Sequence, residues 1–126
     1  MRIAYGGHPG AFGELACLGR FPDEKPIGFD TFRMACDALV SGDCDRAVIP
    51  FENSIAGVVP GVEALIASLP VTRIDVHPQP VVFHCLAVPG AQLDRIELVS
   101  SHPMALAECR HFLSRLGVRE EEAGDT

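Results

Sequence analysis

Tryptophan is absent from these 126 residues and tyrosine occurs once. With seven phenylalanines as the only other aromatic rings, the core must be assembled mainly from Val, Leu, Ile and Ala. Five cysteines, Cys17, Cys36, Cys44, Cys85 and Cys109, include no Cys-x-x-Cys pair and are odd in number, so neither a disulfide framework nor a zinc site is expected. Reduced thiols in a cytoplasmic protein are the simplest account, with Cys36, Cys85 and Cys109 expected as buried, inert groups within apolar patterns. No cluster of Lys and Arg stands out, and 17 acidic against 10 basic residues give a formal charge of −7, which makes nucleic acid a poor partner. No apolar run approaches the roughly 20 residues of a membrane-spanning helix, and the N-terminus enters a strand pattern at once rather than a targeting pattern. A soluble, untargeted chain with no membrane partner is the expectation.

What is present suits an α/β layered fold: a hydrophobic share of 48% is ample for one packed core. Arg2 to Tyr5 reads as a strand ending in the turn Gly6 to Gly10, followed by a helix over Ala11 to Leu18. Ile27 to Phe29 reads as a short strand, and Asp30 is a candidate N-cap for a helix whose Phe32, Ala35, Cys36, Leu39 and Val40 form one apolar stripe. That helix should stop near Ser41-Gly42. Arg46 to Pro50 follows as a strand apolar enough to be buried on both faces of a parallel sheet. Pro60 suits the first turn of a helix to about Ser68, and Val81 to Val88 reads as a second long apolar strand. Ile96 to Ser100 is a further strand, after which Ser101 is expected to cap a helix marked by Ala105, Cys109, Phe112, Leu113 and Leu116. Gly117 would end it, and Val118 to Glu120 would begin another strand. Glu120, Glu121 and Glu122, the only charge run, read as a solvated surface.

The candidate chemistry sits where strands end and helices begin, the place where open parallel sheets bind ligands. Gly7-His8-Pro9-Gly10-Ala11-Phe12 offers a sharp turn and backbone N–H groups that could receive a carboxylate. Pro50-Phe51-Glu52-Asn53-Ser54 sets a carboxylate, an amide and a hydroxyl side by side, although turn and cap chemistry would also explain Asn and Ser there. Ser100 to Leu106 is a third such junction, in which Ser101 as a cap and Ser101 as a ligand donor are compatible.

Taken together these stretches resemble the prephenate and arogenate dehydratase family. Gly7 to Phe12 is similar to the family's G-x-P-G-A-Y/F. Pro50, Glu52, Asn53 and Ser54 match P-x-E-N-S, with Arg46 to Ile49 as the lead-in strand. His84-Cys85-Leu86 with Pro89-Gly90 resembles the segment entering the second lobe. Ser101, His102, Pro103, Ala105, Leu106, Ala107 and Cys109 match S-H-P-Q-A-L-A-Q-C, and Asp125-Thr126 resembles the start of D-T-A-G-A-A. Departures from the pattern are Gly13 in place of a Ser or Thr, and Met104 and Glu108 in place of glutamines.

The resemblance implies a two-lobed, periplasmic-binding-protein-like (type II) α/β sandwich. Residues 1–76 would form its first lobe and residues 77–126 an incomplete second lobe, with no regulatory ACT-type domain. It implies conversion of prephenate to phenylpyruvate, with loss of water and carbon dioxide, in phenylalanine biosynthesis without metal or cofactor. The substrate would be a small dicarboxylate, prephenate or arogenate, held by Gly10, Ala11, Phe12, Asn53, Ser54, Ser101, His102 and Thr126. Glu52 and His102 are the candidates for proton transfer, each with a simpler local role. The family's Thr-Arg-Phe segment does not occur among the 126 residues, so this chain by itself is expected to show little or no activity. Exposed sheet edges would favour a homodimer or instability. A non-aromatising prephenate decarboxylase and a non-catalytic small-carboxylate binding module are the alternatives.

Overall fold

The opening strand β1 (Arg2–Gly6) is the middle of a three-stranded parallel sheet, flanked by β2 (Lys25–Phe29) on one side and β3 (Arg46–Val48) on the other. The structure, a computed structural model, describes residues 1–124 and divides into a unit Met1–Val81 and a second beginning at Val82. Alternation along β1 sends Ile3 and Tyr5 to one face and Ala4 to the other. Ile3 and Tyr5 pack with Cys17 of α1 (Phe12–Arg20), and Ala4 packs with Ala35 and Ala38 of α2 (Phe32–Ser41). The two helices thus cover opposite faces. The connections dictate this arrangement: β1 to β2 steps one way along the sheet and β2 to β3 steps back past β1, and crossovers of one hand then place their helices on opposite sides. Ile3, Ala4 and Tyr5 are at most 1% exposed, and full burial of a side chain such as Ile3 contributes about 1.5–3 kcal/mol.

Several expectations change at this level. Arg46 to Pro50, expected to be buried on both faces, is a three-residue edge strand that is only partly buried; β1 is the buried one. Pro50 has no N–H to extend the ladder beyond Val48. The cap of α2 is Thr31, not Asp30: the Thr31 hydroxyl oxygen accepts the Met34 N–H at 3.1 Å. On that helix Ala38 is buried while Val40 is 46% exposed, and Gly42 ends it in the left-handed region at φ 84°. Pro60 lies just ahead of α3 (Val62–Ala67), whose N-cap is Gly61. Between the sheet and α3, β4 (Glu52–Asn53) and β5 (Gly57–Val58) form a small antiparallel hairpin.

Where the second unit begins, the run Val81 to Val88 is not a strand; Leu86 and Val88 are 88% and 77% exposed. No described strand gives that run a backbone partner. The unit is built on β6 (Leu98–Ser101) and β7 (Arg119–Glu122), paired in parallel from Leu98↔Arg119 to Ser101↔Glu122. Their crossover is α4 (Pro103–Glu108) and α5 (Arg110–Leu116), two helices rather than one, separated at Cys109 (φ −91°, ψ 7°), and Ala105, Leu106 and Leu113 are buried. Ser101 does not cap α4, because its backbone is still in the ladder with Glu122; His102 is the cap. Cys85 is exposed and Cys109 partly so, whereas Cys17, Cys36 and Cys44 are buried.

Candidate functional site

The reversal of direction at β1 defines the ligand crevice of an open parallel sheet: it lies beyond the carboxyl ends of the two strands from which the chain departs in opposite senses. Here those strands are β1 and β3, which run in register from Ile3↔Arg46 to Tyr5↔Val48. The loop starting at Gly7 and the hairpin entered through Pro50 both leave from this edge. The sheet therefore brings Gly10, Ala11 and Phe12 to the same side of the first unit as Glu52, Asn53 and Ser54.

The first loop is held in shape by its backbone. Gly7 donates to the Phe29 carbonyl at 2.7 Å and adopts φ 123°, Gly10 adopts φ 93°, and Ala11 donates to the His8 carbonyl at 3.1 Å. A side chain at Gly7 or Gly10 would be strained by that φ alone. Ala11 is the N-cap of α1 and supplies no side-chain cap. The deficit is met by Glu14, whose carboxylate accepts the Gly10 N–H at 2.7 Å. An acid in the first turn, reaching back to the residues ahead of the helix, satisfies an orphan donor and complements the helix dipole. Sequence reasoning missed Glu14 because the usual signature, Ser or Thr three residues before the acid, is broken by Ala11. Beneath the loop, burial first and the Glu14 charge second hold the Tyr5 phenol up, and the same causes push the Cys17 thiol up to about 11. Both stay protonated at neutral pH, and neither is a nucleophile.

The second loop is the β4–β5 hairpin. Asn53 Oδ1 accepts from the N–H groups of Ile55 at 2.8 Å and Ala56 at 3.0 Å, and Gly57 takes φ 80° to close the turn. The amide oxygen therefore performs turn chemistry. Glu52 and Ser54 are exposed. Phe51 anchors the base of the hairpin, its carbonyl accepting the Val59 N–H at 2.9 Å, and its ring carries the Arg73 guanidinium 4.7 Å from the centroid. A shallow depression among the described residues, bounded by Phe29, Met34, Asp37, Ala38, Ser41 and Asp43, includes none of the candidate residues.

In the second unit, Ser101 ends β6 and His102 caps α4, with Nδ1 accepting the Met104 N–H at 3.1 Å. A lone pair used in this way leaves only the Nε2 edge for other partners. Thr126 lies outside the described residues. Among those residues no group of three or more His, Cys, Asp or Glu is arranged to hold a metal, and no helix is long and apolar enough to cross a membrane.

A parallel sheet covered by a helix on each face, with loops leaving its carboxyl edge, defines an α/β protein of the open-sheet class. The particular family follows from comparison: the prephenate dehydratase family model matches residues 3–126, and the chain belongs to that family. An arogenate dehydratase/prephenate dehydratase of Arabidopsis thaliana is 37% identical over 129 residues, covering 100% of this chain and 31% of the relative. A bifunctional N-acyl-homoserine lactone acylase/prephenate dehydratase of Komagataeibacter europaeus is 33% identical over 92% of this chain and 41% of its own. The solved prephenate dehydratase of Arthrobacter aurescens, in complex with L-Phe, superposes with a TM-score of 0.86 at 27% identity, covering 100% of this chain and 43% of that one. The expected periplasmic-binding-protein-like (type II) α/β class is the class of that structure. The chain spans about a third of the length of the plant relatives it matches.

Proposed function

We propose that this chain carries the substrate-recognition part of a prephenate dehydratase of phenylalanine biosynthesis. The observation that supports the reading is that the Gly7–Phe12 and Glu52–Ser54 stretches follow the carboxyl ends of two adjacent parallel strands, β1 and β3. Prephenate is a dianion with a ring hydroxyl; taking up one proton, it loses carbon dioxide and water and becomes phenylpyruvate. The reaction involves no net oxidation or reduction, and aromatisation drives it. The protein must orient both carboxylates and donate to the departing hydroxyl without stabilising the carboxylate that leaves. The backbone at Gly10 to Phe12 and the side chains of Asn53 and Ser54 are the binding groups of the first unit, and Ser101, His102 and Thr126 those of the second.

Glu52 is exposed at the start of the hairpin and His102 spends one ring nitrogen on its own helix, so both serve the loops that present the substrate rather than the proton transfer. Residues 1–76 and 77–126 contribute to separate lobes of the enzyme, and its working form is a homodimer. Five thiols without a disulfide support a reducing compartment such as the cytoplasm.

The test is product formation by the gene product that carries these residues, supplied with prephenate and, separately, arogenate. Phenylpyruvate or phenylalanine should form, and Asn53→Ala should lower kcat/KM by about tenfold or more, equivalent to roughly 1.4 kcal/mol of transition-state stabilisation. Failure to turn over either compound overturns the proposal. A hydroxylated, non-aromatic product would instead identify a decarboxylase.

A further inference from the structure

The arginines of the first unit are used in two ways. Arg2, Arg20 and Arg33 are ion-paired with Asp45, Asp75 and Asp37, and Arg46 donates to the Asp45 carbonyl. Arg73 has no such partner among the described residues and instead rests on the Phe51 ring at 4.7 Å. Arg20 also lies over a ring, that of Phe21, but its charge is taken up by Asp75; among the described arginines of the first unit Arg73 is the one that combines ring stacking with no carboxylate partner. Stacking on a ring holds the guanidinium plane and limits its rotamers while leaving its N–H edge open, and that edge matches a carboxylate in bidentate fashion. The ring belongs to the residue immediately before Glu52-Asn53-Ser54, and it is fixed by the Val59 to Phe51 backbone hydrogen bond. The cation is thereby tied to the second loop rather than drifting on a surface tether.

We propose that Arg73, held on Phe51, is a specificity-determining residue that receives the side-chain carboxylate of the substrate and favours prephenate over arogenate. The inference rests on the dehydratase reading above. Both compounds carry two carboxylates, but in prephenate the side-chain carboxylate adjoins a ketone, and in arogenate it adjoins an ammonium. A guanidinium paired with the first meets a net negative group; paired with the second it meets a zwitterion whose ammonium, a few ångströms away, repels it.

The test is steady-state kinetics with both substrates on the full gene product, comparing the unmutated enzyme with Arg73→Gln, Arg73→Lys and Phe51→Leu. Arg73→Gln should lower kcat/KM for prephenate by about tenfold, chiefly through KM, while changing that for arogenate by less than about twofold. Arg73→Lys should recover part of the preference as a point charge without the fork. Phe51→Leu should erode it by freeing the guanidinium, and added salt should weaken prephenate binding more in the unmutated enzyme than in Arg73→Gln. Equal losses for the two substrates, or an unchanged ratio, overturn the assignment of Arg73 while leaving the dehydratase reading intact. Absence of turnover in the unmutated enzyme overturns both. Should Arg73→Gln fail to fold, the lysine and Phe51 variants carry the same ratio test.

Discussion

The Glu14 carboxylate accepts the Gly10 amide hydrogen at 2.7 Å, so the anion nearest the start of α1 belongs to the protein itself. A carboxylate in that position is favourable by about 0.3–1 kcal/mol through the helix dipole, and it occupies a donor that the sequence assigns to substrate. A substrate carboxylate arriving at Gly10 must displace Glu14 or be repelled by it. Glu14→Gln should therefore lower KM for prephenate severalfold at low ionic strength, and the gain should shrink as salt screens the charge. Glu14→Ala should show the same direction with about 1 kcal/mol of lost stability, the usual cost of removing a capping acceptor. A raised KM in both variants would show that Glu14 assists binding rather than competing with it.

Thr31 and Asp30 stand side by side ahead of α2, but only Thr31 provides an acceptor, at 3.1 Å from the Met34 nitrogen. Thr31→Ala should cost about 1 kcal/mol, and Asp30→Ala, an exposed change, should stay within about 0.5 kcal/mol. Urea denaturation of the two variants measures both values. The opposite ranking would return the cap to Asp30.

These two cases show what was legible in the chain and what was not. Strand-then-helix order, the end of α2 at Gly42 and the positions of the three loops could be read because short-range signals, apolar periodicity and a glycine after the last turn, decide them. The identity of a cap could not: Asp30 and Thr31 are equally good capping types, and one residue of helix phase chooses between them. Depth in the sheet was also hidden. Arg46 to Pro50 is more apolar than Arg2 to Tyr5, yet β1 is central because the crossovers return past it. The run Val81 to Val88 shows the limit of hydrophobic pattern alone, since a strand exists only where another backbone meets it, and no described strand does. In the second loop the turn chemistry of Asn53 was legible from its neighbours. Glu14 and Arg73 were not, since one lacks the usual cap signature and the other is brought to Phe51 from 22 positions away in the sequence.

Gly13 replaces the hydroxyl residue that the resemblance leads one to expect, and the packing explains the exchange. A Cβ there would lie 3.1 Å from the Gly6 carbonyl oxygen and 3.1 Å from Tyr5 Cδ2. Neither neighbour can yield readily, one being backbone of the central strand and the other a ring that is 1% exposed. Gly13→Ser would gain helix propensity of about 0.5–1 kcal/mol over glycine, against an overpacking cost of about 1–3 kcal/mol. The net expectation is a destabilised protein, measured as a lower denaturation midpoint. Combining Gly13→Ser with Tyr5→Leu, which opens the space beside Cδ2, should recover part of the loss beyond what the two single changes sum to.

Cys17 is 1% exposed beneath α1, and burial, reinforced by the Glu14 charge, pushes its thiol from an ordinary 9.0 to about 11. The folded state therefore holds the proton more tightly than the unfolded state. The resulting stabilisation is complete below pH 9, declines as pH rises from about 9 to about 11, and is gone above that range. Cys17→Ala, which removes the titrating group, should be less stable than the parent at pH 7 through the lost packing, and the gap between the two should narrow across that alkaline window in denaturation curves. Thiol labelling checks the same point at neutral pH. The exposed Cys85 should react within minutes in the native protein, whereas Cys17, Cys36 and Cys44 should react only at the rate of unfolding. Rapid native labelling of Cys17, or a stability gap that widens above pH 9, would contradict a neutral buried thiol beneath the first loop.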